Sequence, residues 1–150
     1  MRVWRIARER YDPLSGEGAR LYGGRWNSPG RPVVYTSGSA ALAALEALVW
    51  TDPEDVPADL RLFELELEGR PRPEVVRLED LPPGWTTIGS PACIRLGDAW
   101  LEAGRRLSLW VPSAVLPEER NLLINPRHAG ISALRLVASR PFRFDVRLLA

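Results

Sequence analysis

The sequence has no lysine and no glutamine, and only one cysteine, one histidine and one methionine. A single cysteine, Cys93, cannot close a disulfide within the chain, which agrees with a reducing compartment. One histidine and one cysteine leave no usual His/Cys zinc site, so no metal is expected. Cys93 and His128 would be the only Cys–His nucleophile pair, and nothing local supports it. No apolar run approaches the roughly 20 residues that span a bilayer, and the N-terminal segment lacks a signal peptide's apolar stretch. A cytoplasmic protein that does not engage a membrane is expected. Without lysine, all 20 basic residues are arginine, a bias that reads as a property of the source genome. It still makes every cation a planar fork suited to phosphate or carboxylate.

What is present describes one folded domain spanning residues 1–150. The chain is 45% hydrophobic and 26% charged with a formal net charge of +1, which excludes disorder. The balance hides an asymmetry. Residues 1–35 carry seven arginines against three acids, whereas residues 46–80 carry eleven acids against four arginines. An anionic ligand beside the basic segment is one reading, and pairing of these arginines with the acidic middle is the other. Arg8, Arg20 and Arg31 cannot be ranked against Arg25 on sequence. With no basic stripe interleaved with aromatics, direct nucleic-acid binding is not expected.

Val3–Ile6 reads as a strand, and residues 12–32, rich in Gly and Pro, as a long loop of the kind that is usually functional or disordered. A strand at Val33–Thr36 leads to a helix from Ala40 to about Thr51, capped within Ser37–Ser39. Leu60–Glu68 alternates as a half-exposed strand, with a phase break at Phe63. Val75–Val76 is a short strand, and Ser90–Pro91 starts a second helix running to about Arg106, weakened by Gly97 and Gly104. Residues 107–111, 121–124, 131–137 and 142–148 read as further strands. The class is α+β: one mixed sheet with two main helices.

Three segments carry candidate chemistry. Between Ala40 and Trp50 every residue but Glu46 is apolar, so the helix is expected to be buried all round. A carboxylate there must gain a partner or shift its pKa, which makes Glu46 a functional candidate or the anchor of a structural ion pair. In Gly23–Gly30 (GGRWNSPG), the paired glycines permit close backbone approach, Arg25 offers a bidentate phosphate clamp and Trp26 a stacking face. An ordinary turn with Arg25 solvated is the competing reading. Tyr35, eleven residues before Glu46, either shares a pocket wall with it or is a core tyrosine. Ser113 follows Trp110-Val111-Pro112 where a strand opens into a loop, a common place for a ligand-facing hydroxyl, but no G-x-S-x-G surrounds it. His128 reads as a surface or capping residue.

In order along the chain, GGRWNSPG (23–30), VYTS (34–37), AALE (43–46), VPS (111–113), NLLINPRH (121–128) and FRFDVRL (142–148) resemble the RES domain family. The resemblance covers nearly the whole chain, residues 51–89 least, and the Arg, Glu and Ser of the family name match Arg25, Glu46 and Ser113. It implies a fold similar to that of ADP-ribosyltransferase toxins and a toxin of a bacterial type II toxin–antitoxin pair. It implies NAD as substrate rather than cofactor, with inorganic phosphate as a candidate co-substrate. The implied partner is an Xre-like helix-turn-helix antitoxin in a hetero-oligomer. Catalysis would fall to Glu46, Arg25 and Ser113, and NAD binding to Gly24, Arg25, Trp26, Tyr35 and Ser113. NAD glycohydrolase or phosphorylase activity is the leading expectation and protein ADP-ribosylation the alternative. A non-catalytic module that binds a nucleotide or a partner is the reading from another class. No G-x-G-x-x-G is present, which argues against NAD as a hydride carrier.

Overall fold

Segments rich in Val, Ile, Leu and Trp form seven strands in the computed structural model, which describes all 150 residues. They are β1 (Arg2–Arg8), β2 (Val34–Ser37), β3 (Leu60–Leu67), β4 (Glu74–Val75), β5 (Ser108–Pro112), β6 (Arg120–Ile124) and β7 (Leu134–Pro141). One sheet holds them in the order β4-β5-β6-β2-β1-β3-β7, antiparallel except for the β4–β5 pair. The mixed α+β class read from the sequence is the class that forms. Its two main helices are α2 (Ala40–Val49) and α3 (Pro91–Ala103), and a short α1 (Glu17–Tyr22) lies inside the segment expected to be loop alone.

The sheet is unevenly joined. β1 pairs with β3 over seven residues and β2 with β6 over four, but β1 and β2 share a single register pair, Trp4↔Ser37. Side chains alternate between faces along each strand. On one face Val3, Val34, Phe63, Leu65, Leu122 and Ile124 form a core with Leu67 and Leu134. On the other, Leu109, Val111 and Leu123 pack with Trp26, Trp85 and the Cys93 and Trp100 of α3. β3 serves both faces. Its apolar residues change side at Phe63, and its register against β7 shifts one residue later, between Glu64 and Leu65.

Helix ends follow local chemistry. Ser39 caps α2 by accepting from the Leu42 amide at 3.1 Å, and Pro91 stands in the first turn of α3. Gly104 closes α3 with φ 60°, a left-handed conformation that favours glycine. Gly97, read from sequence as a weak point, has a packing role: a Cβ there would lie 1.7 Å from the Trp26 carbonyl oxygen. α3 therefore meets the Gly23–Gly30 segment backbone to backbone.

Two expectations are corrected. α2 is not buried all round: Leu42 and Ala43 are buried, whereas Val49 and Trp50 are 52% and 67% exposed. It packs on β1 and β2, and Ala41, Val49 and Trp50 stay exposed. Residues 142–148 form no strand. The last bond to β3 runs from the Phe142 amide to the Leu60 carbonyl at 2.9 Å, and Asp145 then caps a 3-10 turn at Val146–Leu149 by accepting from the Arg147 amide.

The charge asymmetry resolves largely into pairing. Arg2 meets Glu64 at 2.6 Å and Glu66 at 3.4 Å, while Arg8 and Arg10 meet Asp59 at 2.8 and 3.6 Å. Arg5 differs from the other N-terminal arginines. Its Nη1 donates to the Pro13 carbonyl at 2.9 Å and its buried Nε has no partner. Burial pushes its guanidinium down to about 10, with Asp12 partly opposing the shift.

Candidate active site

Glu46 projects from α2 toward the ends of β5 and β6. Its Oε1 accepts from the Ser113 hydroxyl at 2.7 Å and from Asn121 Nδ2 at 2.6 Å. No cation lies within ion-pair distance, so the structural ion-pair reading of this residue does not hold. Both partners are neutral donors, which fix the carboxylate without cancelling its charge. Each donor is itself held in place. Asn121 Oδ1 accepts from the Ser37 hydroxyl at 2.8 Å, and Ser37↔Asn121 is a register pair of β2 and β6. The Ser113 oxygen accepts from the amides of Val115 and Leu116 at 3.2 and 3.1 Å.

Ser113 is fully buried, so the expectation of a ligand-facing hydroxyl is corrected. As it stands, it reaches a ligand only through Glu46. The loop beyond Pro112 folds back, with the Ser113 amide donating to the Glu119 carbonyl, and this encloses the side chain.

The Gly23–Gly30 segment lies on the same face of the sheet. The Tyr35 hydroxyl donates to Asn27 Oδ1 at 2.6 Å and accepts from the Trp26 amide at 3.0 Å. Burial raises its pKa above the ordinary tyrosine value, an effect that the Trp26 amide partly offsets. Gly24 is needed here, because a Cβ would stand 2.7 Å from the Tyr35 hydroxyl oxygen. Asn27 Nδ2 ties the turn to the carbonyls of Ala19, Ser28 and Arg31. Asp98 of α3 accepts from the Ser28 amide and hydroxyl at 2.9 and 2.5 Å.

Two roles assigned to this segment change. Trp26 is 2% exposed and packs against Trp85 with ring centroids 6.4 Å apart, so it is a core residue and presents no free stacking face. Arg25 is not a solvated clamp. Its Nη1 donates to the carbonyls of Trp85 and Thr87, and its Nη2 to that of Thr86, at 3.0–3.1 Å. Three of five guanidinium N–H groups thus hold residues 85–87, and two are left for a ligand. A cavity of about 370 Å³ lies against this loop, lined in part by Thr87, Ser90 and Arg95.

The two clusters meet through β2. Tyr35 and Ser37 are two residues apart on one face, about 7 Å along the strand. Tyr35 anchors the Arg25 segment and Ser37 anchors Asn121 and Glu46. Asn121, Ser37, Asn27 and Asp98 were not singled out from sequence. For Asn121 and Ser37 a signal existed: each is a polar residue inside an otherwise apolar strand pattern. His128 accepts from the Gly130 amide through Nδ1 at 2.9 Å, a turn-capping contact. No helix is long and apolar enough to cross a membrane.

This fold also occurs in a solved toxin–antitoxin structure. The MbcT–MbcA complex of M. tuberculosis contains a chain that superposes with a TM-score of 0.79 at 22% identity, over 94% of this chain and 83% of that one. The RES domain family profile matches residues 2–145. Curated relatives include Toxin Res of Yersinia enterocolitica, 38% identical over 99% of each chain, and Toxin Res of Pseudomonas putida, 43% identical over 91% of this chain and 92% of that one. The Prs ADP-ribosylating toxin of a Sphingobium species is 38% identical over 97% of this chain and 95% of its own. The chain belongs to the RES domain family, and with these relatives it is a RES-domain toxin.

Proposed function

We propose that this toxin cleaves the nicotinamide–ribose bond of NAD and passes the ADP-ribosyl group to water or inorganic phosphate. The observation that carries the reading is the Glu46 carboxylate, held at Oε1 by two neutral donors and paired with no cation. When the bond breaks, nicotinamide leaves with the bonding pair as a neutral molecule and positive charge develops at the anomeric carbon, as in glycoside hydrolysis. A fixed anion stabilises that charge without reorganising. The acceptor oxygen then bonds to the same carbon, and its proton passes to Glu46 or to solvent. Because the leaving group is already cationic, no general acid is needed, which suits a site without histidine. Arg25 has two N–H groups to offer a phosphate oxygen, and Tyr35 and Gly24 set its position.

Protein ADP-ribosylation is the second reading, favoured by the relative named Prs ADP-ribosylating toxin. The two reactions share the bond broken and differ in the acceptor. Neutralisation by an antitoxin with an Xre-like helix-turn-helix domain, in a hetero-oligomer, completes the proposal, and the MbcT–MbcA structure is a precedent for a toxin–antitoxin complex in this fold.

Incubation of the purified protein with NAD, with and without inorganic phosphate, tests the reading by NMR of free nicotinamide. Glu46-dependent release is expected, and phosphate dependence selects phosphorolysis over hydrolysis. NAD label appearing on protein selects ADP-ribosylation. No release and no protein label with intact, antitoxin-free protein overturns both.

A further inference from the structure

A second charged site lies on the other face of the sheet, at the opposite end of β5 from Ser113. A cavity of about 280 Å³ is ringed by Arg70 and Arg72 from the segment after β3 and by Arg105 and Arg106 from the turn after α3. None of the four makes an ion pair or a side-chain hydrogen bond within the chain, unlike Arg2, Arg8, Arg20, Arg31, Arg61 and Arg135. The one carboxylate at the rim, Glu68, is already neutralised by Arg135 at 2.5 Å. Four unpaired guanidinium groups from two distant stretches of sequence converge on one concavity.

The floor adds a second, independent feature. Ser108 lines the cavity, is 2% exposed, and its hydroxyl has no hydrogen-bond partner in the chain. Its oxygen is not sealed off as the unpartnered Arg5 Nε and Trp100 Nε1 are, so it opens to the cavity and can bond to a group seated there. His128 also lines the cavity. Its Nδ1 is taken by the Gly130 amide, which leaves Nε2 available.

We propose that this cavity binds the phosphoryl groups of a small polyphosphate, either inorganic or carried by a nucleotide. Guanidinium forks pair with phosphate oxygens in bidentate fashion, and several forks around one concavity favour a ligand carrying several charges on adjacent centres. The lining residues other than His128 are non-aromatic, so the wall offers no platform on which successive bases would stack, as a single-stranded nucleic acid requires. The site is separate from Glu46. Ser108 and Ser113 are about 17 Å apart along β5 and on opposite faces, Ser108 with Trp110 and Ser113 with Val111.

Calorimetric titration of the full-length protein with inorganic tripolyphosphate, ATP, adenosine and a 20-nucleotide single strand tests the proposal. Saturable binding of tripolyphosphate at one site per chain is expected, with adenosine silent. Equal affinity for ATP identifies the phosphoryl groups alone as the ligand, and tighter ATP binding identifies a nucleotide source. Arg72→Ala and Arg105→Ala, from the two separate segments, should each weaken binding about tenfold, and Ser108→Ala severalfold. Arg77→Ala, which removes an exposed arginine outside the cavity, should leave binding unchanged. Circular dichroism checks that each variant keeps the wild-type fold. Absence of saturable binding overturns the proposal, as does equal weakening by Arg77→Ala, which would mean diffuse charge attraction. Tighter binding of the oligonucleotide than of tripolyphosphate overturns it in favour of a nucleic-acid surface.

Discussion

Ser113 connects the backbone to Glu46: its hydroxyl oxygen accepts from two loop amides and its proton is donated to the carboxylate at 2.7 Å. A hydroxyl that accepts twice has one direction left for its hydrogen. The carboxylate is thereby positioned by the fold of the Ser113–Leu116 loop as much as by α2.

Glu46→Gln keeps an oxygen that can accept both hydrogen bonds and removes the charge. Stability should change by less than about 1 kcal/mol, whereas nicotinamide release should fall by about 10²-fold or more. Asn121→Asp places a second carboxylate against the first and should move the pH–rate profile toward higher pH, because like charges raise a carboxylate pKa. A profile unmoved by that change would separate Asn121 from the chemistry.

Arg25→Lys retains the charge and loses the fork. One ammonium cannot reproduce three bonds to consecutive carbonyls and two further N–H groups. Stability should drop by about 1–3 kcal/mol in urea, and limited proteolysis within residues 82–90 should accelerate. Wild-type proteolysis combined with weakened NAD binding would instead assign Arg25 to the substrate alone.

Two glycine variants should part sharply. Gly97→Ala forces a Cβ onto the Trp26 carbonyl and should destabilise by about 3 kcal/mol, while Gly18→Ala, with open space around it in α1, should be neutral or gain about 0.5–1 kcal/mol. Thermal melts of the pair give the comparison.

Glu66, with Glu17, Asp59 and Asp145, should contribute to the acid limb of stability. Its bond to Arg135 holds it below its ordinary 4.5 despite some burial, and Arg2 adds to the effect. A carboxyl whose folded pKa is depressed contributes stability that is present above the unfolded value and lost as pH falls through the folded one. Wild type should therefore exceed Arg135→Ala in urea midpoint at neutral pH, and the gap should close as pH drops below about 4.5. A gap that persists at pH 2 would mean that Arg135 acts through packing.

Most of the architecture could be read from residue order, and the errors have physical sources. Ser39 and Pro91 marked the starts of helices because caps act locally, whereas Gly104, read as a weak point in a helix running to about Arg106, ends α3 at Ala103. The apolar run of α2 was read as buried, yet burial depends on what covers the outer face, and Val49 and Trp50 stay more than half exposed. Strand propensity at 142–148 lost to the turn that Asp145 caps. At the site, residue choice outran role. Glu46 and Ser113 meet directly, and Tyr35 bonds the backbone next to Arg25, but the assignments of Trp26 to stacking and Ser113 to a ligand failed, because side-chain exposure is set by neighbours remote in sequence. Asn121 escaped notice since its partner Ser37 is 84 residues away.

The single Trp4↔Ser37 rung between β1 and β2 gives the sheet a seam. Two well-laddered plates, β7-β3-β1 on one side and β2-β6-β5-β4 on the other, are joined by the core they share, where Val3 and Leu65 pack with Val34 and Leu122, and by α2 lying across the joint. α2 is also the element that bears Glu46, so the clasp between the plates and the carboxylate are one piece. A load on the joint between the plates is therefore a load on the helix that holds Glu46 against Asn121.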